Sequence, residues 1–342
     1  FFATSAYDVD AQGLTQIGLL YYNKFGAPEA GINAPCYAYD YKQEIGANNS
    51  TSTYTFILKN GLTFSDGKPI TAKDVLFSIY AISDPLYDGS STFYTMNIQG
   101  MKEYRLQTSA DTLETAKKII DAGIKTGDDG KMVINPANGV SAAQQEAFWS
   151  YFDVAGEKFV QEIIDYVNTK YTSYIAKYFA PYTVEQVAAD TDLQAAFGMI
   201  MWGYGEMSED GMFVDSTGKS FDLAKDTVDA KVYWANILNS YGYDLSDAGI
   251  NVEKAGELKI QDYVQQEYIS KEGKVAGGVK SISGITSGKM VCDDGVEREY
   301  IKVVLDGVDP TAIFKLGVYV TPMHYYTQGY TGKLNEYGIA LE

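Results

Sequence analysis

The residues able to do chemistry are few. There is one histidine, His324, so any mechanism that needs an imidazole depends on it alone. It lies beside Pro322 and is followed by Tyr325-Tyr326, and no Gly-x-Ser-x-Gly elbow supplies a serine nucleophile. His324 therefore reads as a structural residue at a strand end. Cys36 and Cys292 are far apart, without Cys-x-x-Cys spacing, which argues against a zinc or redox motif. They form either one disulfide or two small buried thiols. The acid pairs Asp128-Asp129, Glu209-Asp210 and Asp293-Asp294 are the residue type a glycosidase needs, two carboxylates facing each other across a bond. The Asp-Asp-Gly runs, however, read as turn formers. Asp128-Asp129-Gly130 and Ser208-Glu209-Asp210-Gly211 carry oxygen ligands suited to calcium but lack EF-hand spacing. Neither a cofactor nor a metal is expected.

Composition narrows the classes further. The chain has 342 residues, enough for about two domains at roughly 100–200 residues each. Apolar residues make up 46% and charged residues 21%, which suits a chain with a sizeable core. The net charge of −18 repels phosphate, so no nucleic-acid partner is expected. No apolar run approaches the roughly 20 residues of a membrane span. The sequence opens on Phe1-Phe2-Ala3-Thr4-Ser5 with neither Met nor a basic leader, so an export signal removed upstream remains open. The 29 tyrosines suit surfaces that bind peptides or sugars, and equally suit half-buried packing positions.

Three regions must position these residues. Over residues 1–104 strand and helix signals mix. Tyr54, Phe56 and Leu58 alternate with Thr55, Ile57 and Lys59, the period of a half-buried strand. Phe64-Ser65-Asp66-Gly67-Lys68-Pro69 marks a tight turn. Thr71 with Asp74 then opens a helix that carries Ala72, Val75, Leu76, Ile79 and Tyr80 on one face and ends at Asp84-Pro85. Residues 105–276 read mainly as helices. Ser141 with Gln144 and Thr183 with Gln186 form capping boxes, and Phe159, Ile163, Tyr166 and Val167 make a helical stripe. The Gly- and Asp-rich stretches 123–139 and 206–219 read as exposed loops, and Trp202-Gly203-Tyr204-Gly205 as an aromatic recognition loop or as packing at a helix end. Residues 277–342 return to strands: 279–285 and 300–305 joined by an Asp293-Asp294-Gly295 turn, then a short helix capped by Asp309. The organisation expected is one α+β domain (1–104 and 277–342) interrupted by a helical insertion (105–276).

The run Tyr54-Thr55-Phe56-Ile57-Leu58-Lys59-Asn60-Gly61, continuing through Phe64-Ser65-Asp66-Gly67-Lys68-Pro69 to Thr71-Ala72-Lys73-Asp74-Val75, resembles the signature of the family 5 extracellular solute-binding proteins. These serve ABC importers of oligopeptides, dipeptides and nickel. The segments Phe1–Asp8, Leu19–Gly26 and Val320–Tyr325 are similar to further parts of that family. The resemblance covers about residues 1–104 and 279–326 and leaves the insertion outside. It implies the N-terminal lobe portion of a type II periplasmic-binding-protein-like fold (cluster C), truncated before a second lobe that normally follows the Pro-x-His segment. It also implies an extracellular, lipid-anchored carrier of peptide or another small solute, working with an ABC permease in the membrane and performing no catalysis. By family position Thr4, Ser5, Ala6 and Tyr7 line the cleft and offer main-chain groups to an extended peptide. Phe93 and Tyr94 either cover the ligand or pack on the helix from Thr71. The alternatives are a cell-surface interaction module acting through the helical insertion, on a protein partner or a glycan, and a secreted glycoside hydrolase.

Overall fold

The computed structural model describes residues 5–87, 89, 91–244 and 259–340. In chain order the elements that matter begin with α1 (Ala6–Thr15), β1 (Tyr21–Tyr22), β2 (Pro28–Glu29), β3 (Ala38–Ile45), β4 (Thr51–Leu58), α2 (Ala72–Ser83) and α3 (Met101–Leu106). Next come α4 (Ala110–Ala122), β5 (Ile124–Thr126), β6 (Met132–Ile134), α5 (Ala142–Trp149), α6 (Phe152–Lys170), α7 (Ile175–Tyr178), α8 (Val184–Ala189) and α9 (Thr191–Met201). The chain continues with β7 (Gly205–Met207), β8 (Phe213–Asp215), β9 (Ser220–Phe221), α10 (Ala230–Tyr241) and α11 (Ile260–Tyr268). It closes with β10 (Ile285–Val291), β11 (Glu297–Asp306), α12 (Ala312–Leu316) and α13 (Met323–Tyr326). The architecture is α+β. The packing separates two units, Phe1–Ala110 with Lys274–Glu342, and Asp111–Gly273.

The first unit is built on an antiparallel sheet in the order β10-β11-β4-β3. Strands far apart in sequence meet here: Tyr54 lies opposite Val303, which lies opposite Ile285. Alternation puts Tyr54, Phe56 and Leu58 with Ile301, Val303 and Leu305 into one core, shared with Val75, Ile79 and Tyr80 of α2. Gly67 sits at φ +82 in the Phe64–Lys68 turn, a conformation glycine adopts without Cβ strain.

Helix α2 is buried on more than the one face its stripe predicts. Of its residues only Lys73 is exposed. Its N-terminal amides are capped by two carboxylates: Asp74 Oδ2 accepts from Thr71 N at 2.9 Å, and Glu299 Oε2 on β11 accepts from Ala72 N at 2.9 Å. One turn on, Ser78 Oγ accepts from Thr321 N at 2.9 Å, while Asp74 Oδ1 accepts from Met323 N at 3.1 Å. Asp74 and Ser78 are four residues apart, so one edge of the helix holds the whole 321–323 segment.

Several local expectations need correction. Residues 279–284 are not strand; β10 begins at Ile285, because Ile282 N donates to the Tyr80 hydroxyl (2.9 Å) and Gly284 N to Gln99 O (2.7 Å), outside any ladder. His324 lies in α13 rather than at a strand end. The stretches read as loops at 123–139 and 206–219 contain the paired strands β5–β6 and β7–β8, whose turns carry Gly130 and Gly211 at positive φ. The two cysteines are free thiols, Cys36 buried and Cys292 half-buried, and burial pushes the Cys36 thiol up.

The second unit is a helical cluster in which α6 is central, packed against α9, α10 and α11. Its core holds Phe148, Trp149, Phe159, Val160, Ile164, Phe197 and Trp234. Gly156 on α6 is required there: a Cβ at that position would fall 2.0 Å from the Trp234 ring. Glu267 is buried on α11 and ion-paired with Lys158 on α6, and Tyr263 donates to Glu162 at 2.6 Å.

Candidate functional site

Of the residues expected to contact ligand, Ala6 and Tyr7 lie in a helix and Phe93 lies in the core. Thr4 lies outside the described residues. Ser5 is the N-cap of α1, with Ser5 Oγ accepting from Asp8 N (3.2 Å) and Asp8 Oδ2 from Ser5 Oγ (2.8 Å). Ala6 and Tyr7 are the first residues of that helix and are exposed, Tyr7 at 85%. In the first turn of a helix the carbonyls point along the axis into the helix and the free amides point out of its N-terminus, so 5–7 lacks the alternating donors and acceptors of a strand edge. The signal for this was present in Ser5 and Asp8, a three-residue capping spacing. Phe93 is 2% exposed and belongs to the core of the first unit, so the packing alternative is the one it follows. Tyr94 is half-buried, with the Arg105 guanidinium 4.2 Å from its ring centroid and the Tyr87 ring edge-on at 6.1 Å.

An open strand edge does exist, at β10. Among the described residues this strand ends the sheet, paired on one side only with β11. Val304 N donates to Gly284 O, which makes Ile285–Val303 a pair without mutual hydrogen bonds. The alternation then turns Thr286 and Gly288 toward β11 and leaves the main-chain groups of Ser287 and Lys289 on the free edge. A cleft of about 510 Å³ runs beside it, lined by Ser281, Ser283, Thr286 and Ser287, with Leu76, Ile282 and Ile285 as its apolar part. Lys73, the exposed residue of α2, lines it too, as do Glu336 and Tyr337. Asn335 sets the last two in place: its side-chain oxygen accepts from Tyr337 N and Ile339 N, both at 3.0 Å. The Tyr337 ring lies flat on Tyr80, with centroids 3.8 Å apart. Burial raises the pKa of both phenols, so they stay neutral hydrogen-bonding groups at physiological pH. Lys73 stands on the first turn of α2, where it adds its charge to the positive end of the helix dipole.

A second cleft, of about 320 Å³, is lined by Tyr39, Asp40, Lys42, Ile57, Met290 and Cys292 among others. The guanidinium beside it is already committed. Arg298 makes two 2.7 Å bonds to Asp294 and stacks 3.8 Å from the Tyr39 centroid. Those bonds hold the Asp294 carboxyl down at about 2. Arg298 therefore braces the β10–β11 turn and is not available to a ligand carboxylate.

The remaining candidates for chemistry are also structural. His324 Nε2 is 2.7 Å from Asp66 Oδ2, tying α13 to the Phe64–Lys68 turn. Asp66 is lowered first by the Lys68 amide and then by His324. Asp129 accepts from Lys131 N, Asp210 from Ser208 Oγ, and Asp294 from Val296 N. Each acid thus closes its own turn. Among the described residues no group of three or more His, Cys, Asp or Glu is disposed to hold a metal. None of the described helices is long and apolar enough to cross a membrane.

Comparison with known proteins bears on this arrangement of strand, Asp-Gly turn and capped helix. The model for bacterial extracellular solute-binding proteins, family 5 middle, matches residues 43–195. The match includes β4, the turn and α2, and it runs on through α4–α8 into α9, past residue 104 where the resemblance was expected to stop. No curated protein matches the chain. Over residues 43–195 the chain is thus similar to family 5 of the bacterial extracellular solute-binding proteins.

Proposed function

We propose that this protein captures oligopeptides outside the cell, as the lipid-anchored binding component of an ABC importer, and that a peptide lies extended along the free edge of β10. The family match over residues 43–195 carries the first part of this reading. The second part is supported by the cleft beside β10, which supplies what an extended peptide needs. Main-chain groups of Ser287 and Lys289 pair with the peptide backbone, at ~0.5–1.5 kcal/mol net per hydrogen bond. Serine and threonine hydroxyls serve any sequence, Leu76 and Ile285 take an apolar side chain, and Lys73 takes a carboxylate. No chemistry is performed; capture and release are the whole task.

Calorimetry with tri- to pentapeptides tests both parts. Ser287→Pro removes an edge N–H without touching the β11 ladder, a placement proline tolerates on an edge strand. It should weaken peptide binding about tenfold, and Lys73→Glu should act most on peptides with a free C-terminal carboxylate. Peptide binding that ignores both changes would move the site away from β10 while leaving the carrier reading intact. No heat with any peptide would remove the peptide reading itself.

A further inference from the structure

Among the described residues, the two edges of the β10-β11-β4-β3 sheet are guarded differently. β3 carries a bulge between Ala38 and Asp40 and sets Asp40, Lys42 and Glu44 along its exposed length. Bulges and charges are the devices that keep another strand off a sheet edge. The seven residues of β10 pair with β11 in one unbroken register. Its one charged residue, Lys289, is answered on β11 by Glu297 at 3.1 Å. Ser287, Lys289 and Val291 are exposed, Val291 at 66%, and their main-chain groups face away from β11. Ile285 offers only its carbonyl there, because its N–H already donates to Ile282 O at 2.9 Å.

We infer that β10 pairs with β10 of a second copy of this chain, antiparallel about a two-fold axis at Gly288. A two-fold contact brings one segment against itself, so the segment must be self-complementary. Registers centred on Ser287, Gly288 or Lys289 all oppose the outward-facing groups over most of the strand. Centred on Lys289, the pairing sets two ammonium groups face to face. Centred on Ser287, it sets Ile285 against the other copy's Lys289. Centred on Gly288, it does neither: Ile285 meets Val291 and Ser287 meets Lys289, each on both sides of the axis. Ser287 and Lys289 then exchange both main-chain hydrogen bonds with their counterparts, and Val291 N–H reaches the Ile285 carbonyl.

The opposite side of the strand agrees with that register. Gly288 meets Gly288 on the axis, as a pair without mutual hydrogen bonds, where two strands bring their side chains closest. A Cβ at Gly288 would fall 2.7 Å from the Tyr300 hydroxyl, so the Tyr300 ring already lies over this glycine. Pairing brings the two rings together above the axis, aromatic cover for a glycine on an edge strand. Thr286 falls opposite Met290 on the same side. The match between one half of β10 and the other selects a second copy, since an unrelated strand has no reason to repeat it. This pairing does not rest on peptide capture. It takes the same edge, so a paired copy and an extended peptide exclude each other.

The test is sedimentation velocity on the whole chain from about 1 to about 200 µM, in about 0.15 M salt to screen its net charge of −18. A concentration-dependent dimer with a Kd of about 100 µM or tighter is expected. Ser287→Pro removes an edge N–H, and Val291→Asp sets a carboxylate against Ile285. Each should weaken the dimer about tenfold or more. Ser287→Asp reads the register. Its carboxylate faces Lys289 when the axis is at Gly288, so the dimer should tighten about threefold or more, a gain that a misfolded variant would not show. With the axis at Ser287 the two carboxylates would face each other and weaken it. Val291 does not line the peptide cleft, so Val291→Asp should leave calorimetric peptide binding in place, and loss of pairing is read apart from loss of peptide. A monomer throughout the range overturns the inference. So does a dimer that Ser287→Pro and Val291→Asp leave unchanged, or one that Ser287→Asp weakens.

Discussion

Replacing Asp74 by alanine isolates what one carboxylate does for the first unit. Asp74 is 6% exposed and accepts three hydrogen bonds: from Thr71 N (2.9 Å), Thr71 Oγ1 (2.9 Å) and Met323 N (3.1 Å). The hydroxyl can turn elsewhere after Asp74→Ala, but the two amides cannot. One is an N-terminal helix donor, whose cap is worth ~0.5–2 kcal/mol. The other anchors a segment 249 residues away, and an unpaired buried donor costs ~1–3 kcal/mol. Water reaches part of the vacated space, so the sum is about 2–4 kcal/mol. Asp74→Asn keeps an oxygen acceptor and should lose about half of that. Hydrogen exchange followed by mass spectrometry reads the effect within this unit. Peptides covering Ala72–Ser83 and residues 319–323 should exchange at least ~30-fold faster in Asp74→Ala, since each 1.4 kcal/mol is tenfold. Unchanged exchange in both peptides would refute the account of Asp74. Faster exchange in the helix alone would refute the tie to Met323.

Two further expectations concern other parts of the molecule. Gly156→Ala should destabilise the second unit by ~1–3 kcal/mol through overpacking against Trp234, outweighing alanine's better helix propensity of ~1 kcal/mol. Trp149, Trp202 and Trp234 all lie in this unit, so a denaturant melt followed by tryptophan fluorescence reads it, and a raised midpoint would sink the argument. Acid should loosen the β10–β11 turn. Arg298 depresses the Asp294 carboxyl to about 2, so its contribution is complete above the ordinary carboxylate range near 4 and fades as pH falls toward 2. Asp294→Asn should flatten that part of a melting-versus-pH curve, and an unaltered curve would show that the pair does not couple to folding.

How much was legible follows from the range of each interaction. The alternation from Tyr54 to Lys59, the Asp66-Gly67 turn, the Thr71–Asp74 cap and the stripe Phe159, Ile163, Val167 are local patterns, and each appears where the residues placed it. The helix at Ala6–Thr15 is also locally encoded, in the capping pair Ser5 and Asp8. Phe93 could be read as cover for a ligand or as core until its neighbours were known. The free edge of β10 had no signature, because an edge is defined by which strand fails to arrive beside it.

The sequence by itself therefore determined the mixed α+β character, the similarity to a solute-binding family and the individual turns and caps, since those depend on residues within a few positions of one another. Tertiary structure alone decided that Met323 answers Asp74, that Arg298 is spent on Asp294, and that the exposed residue of α2 is a lysine beside an open strand. Those outcomes depend on chain segments brought together from distant positions, and a hydrogen bond or a ring contact is decided at a few ångströms in space rather than by spacing along the chain.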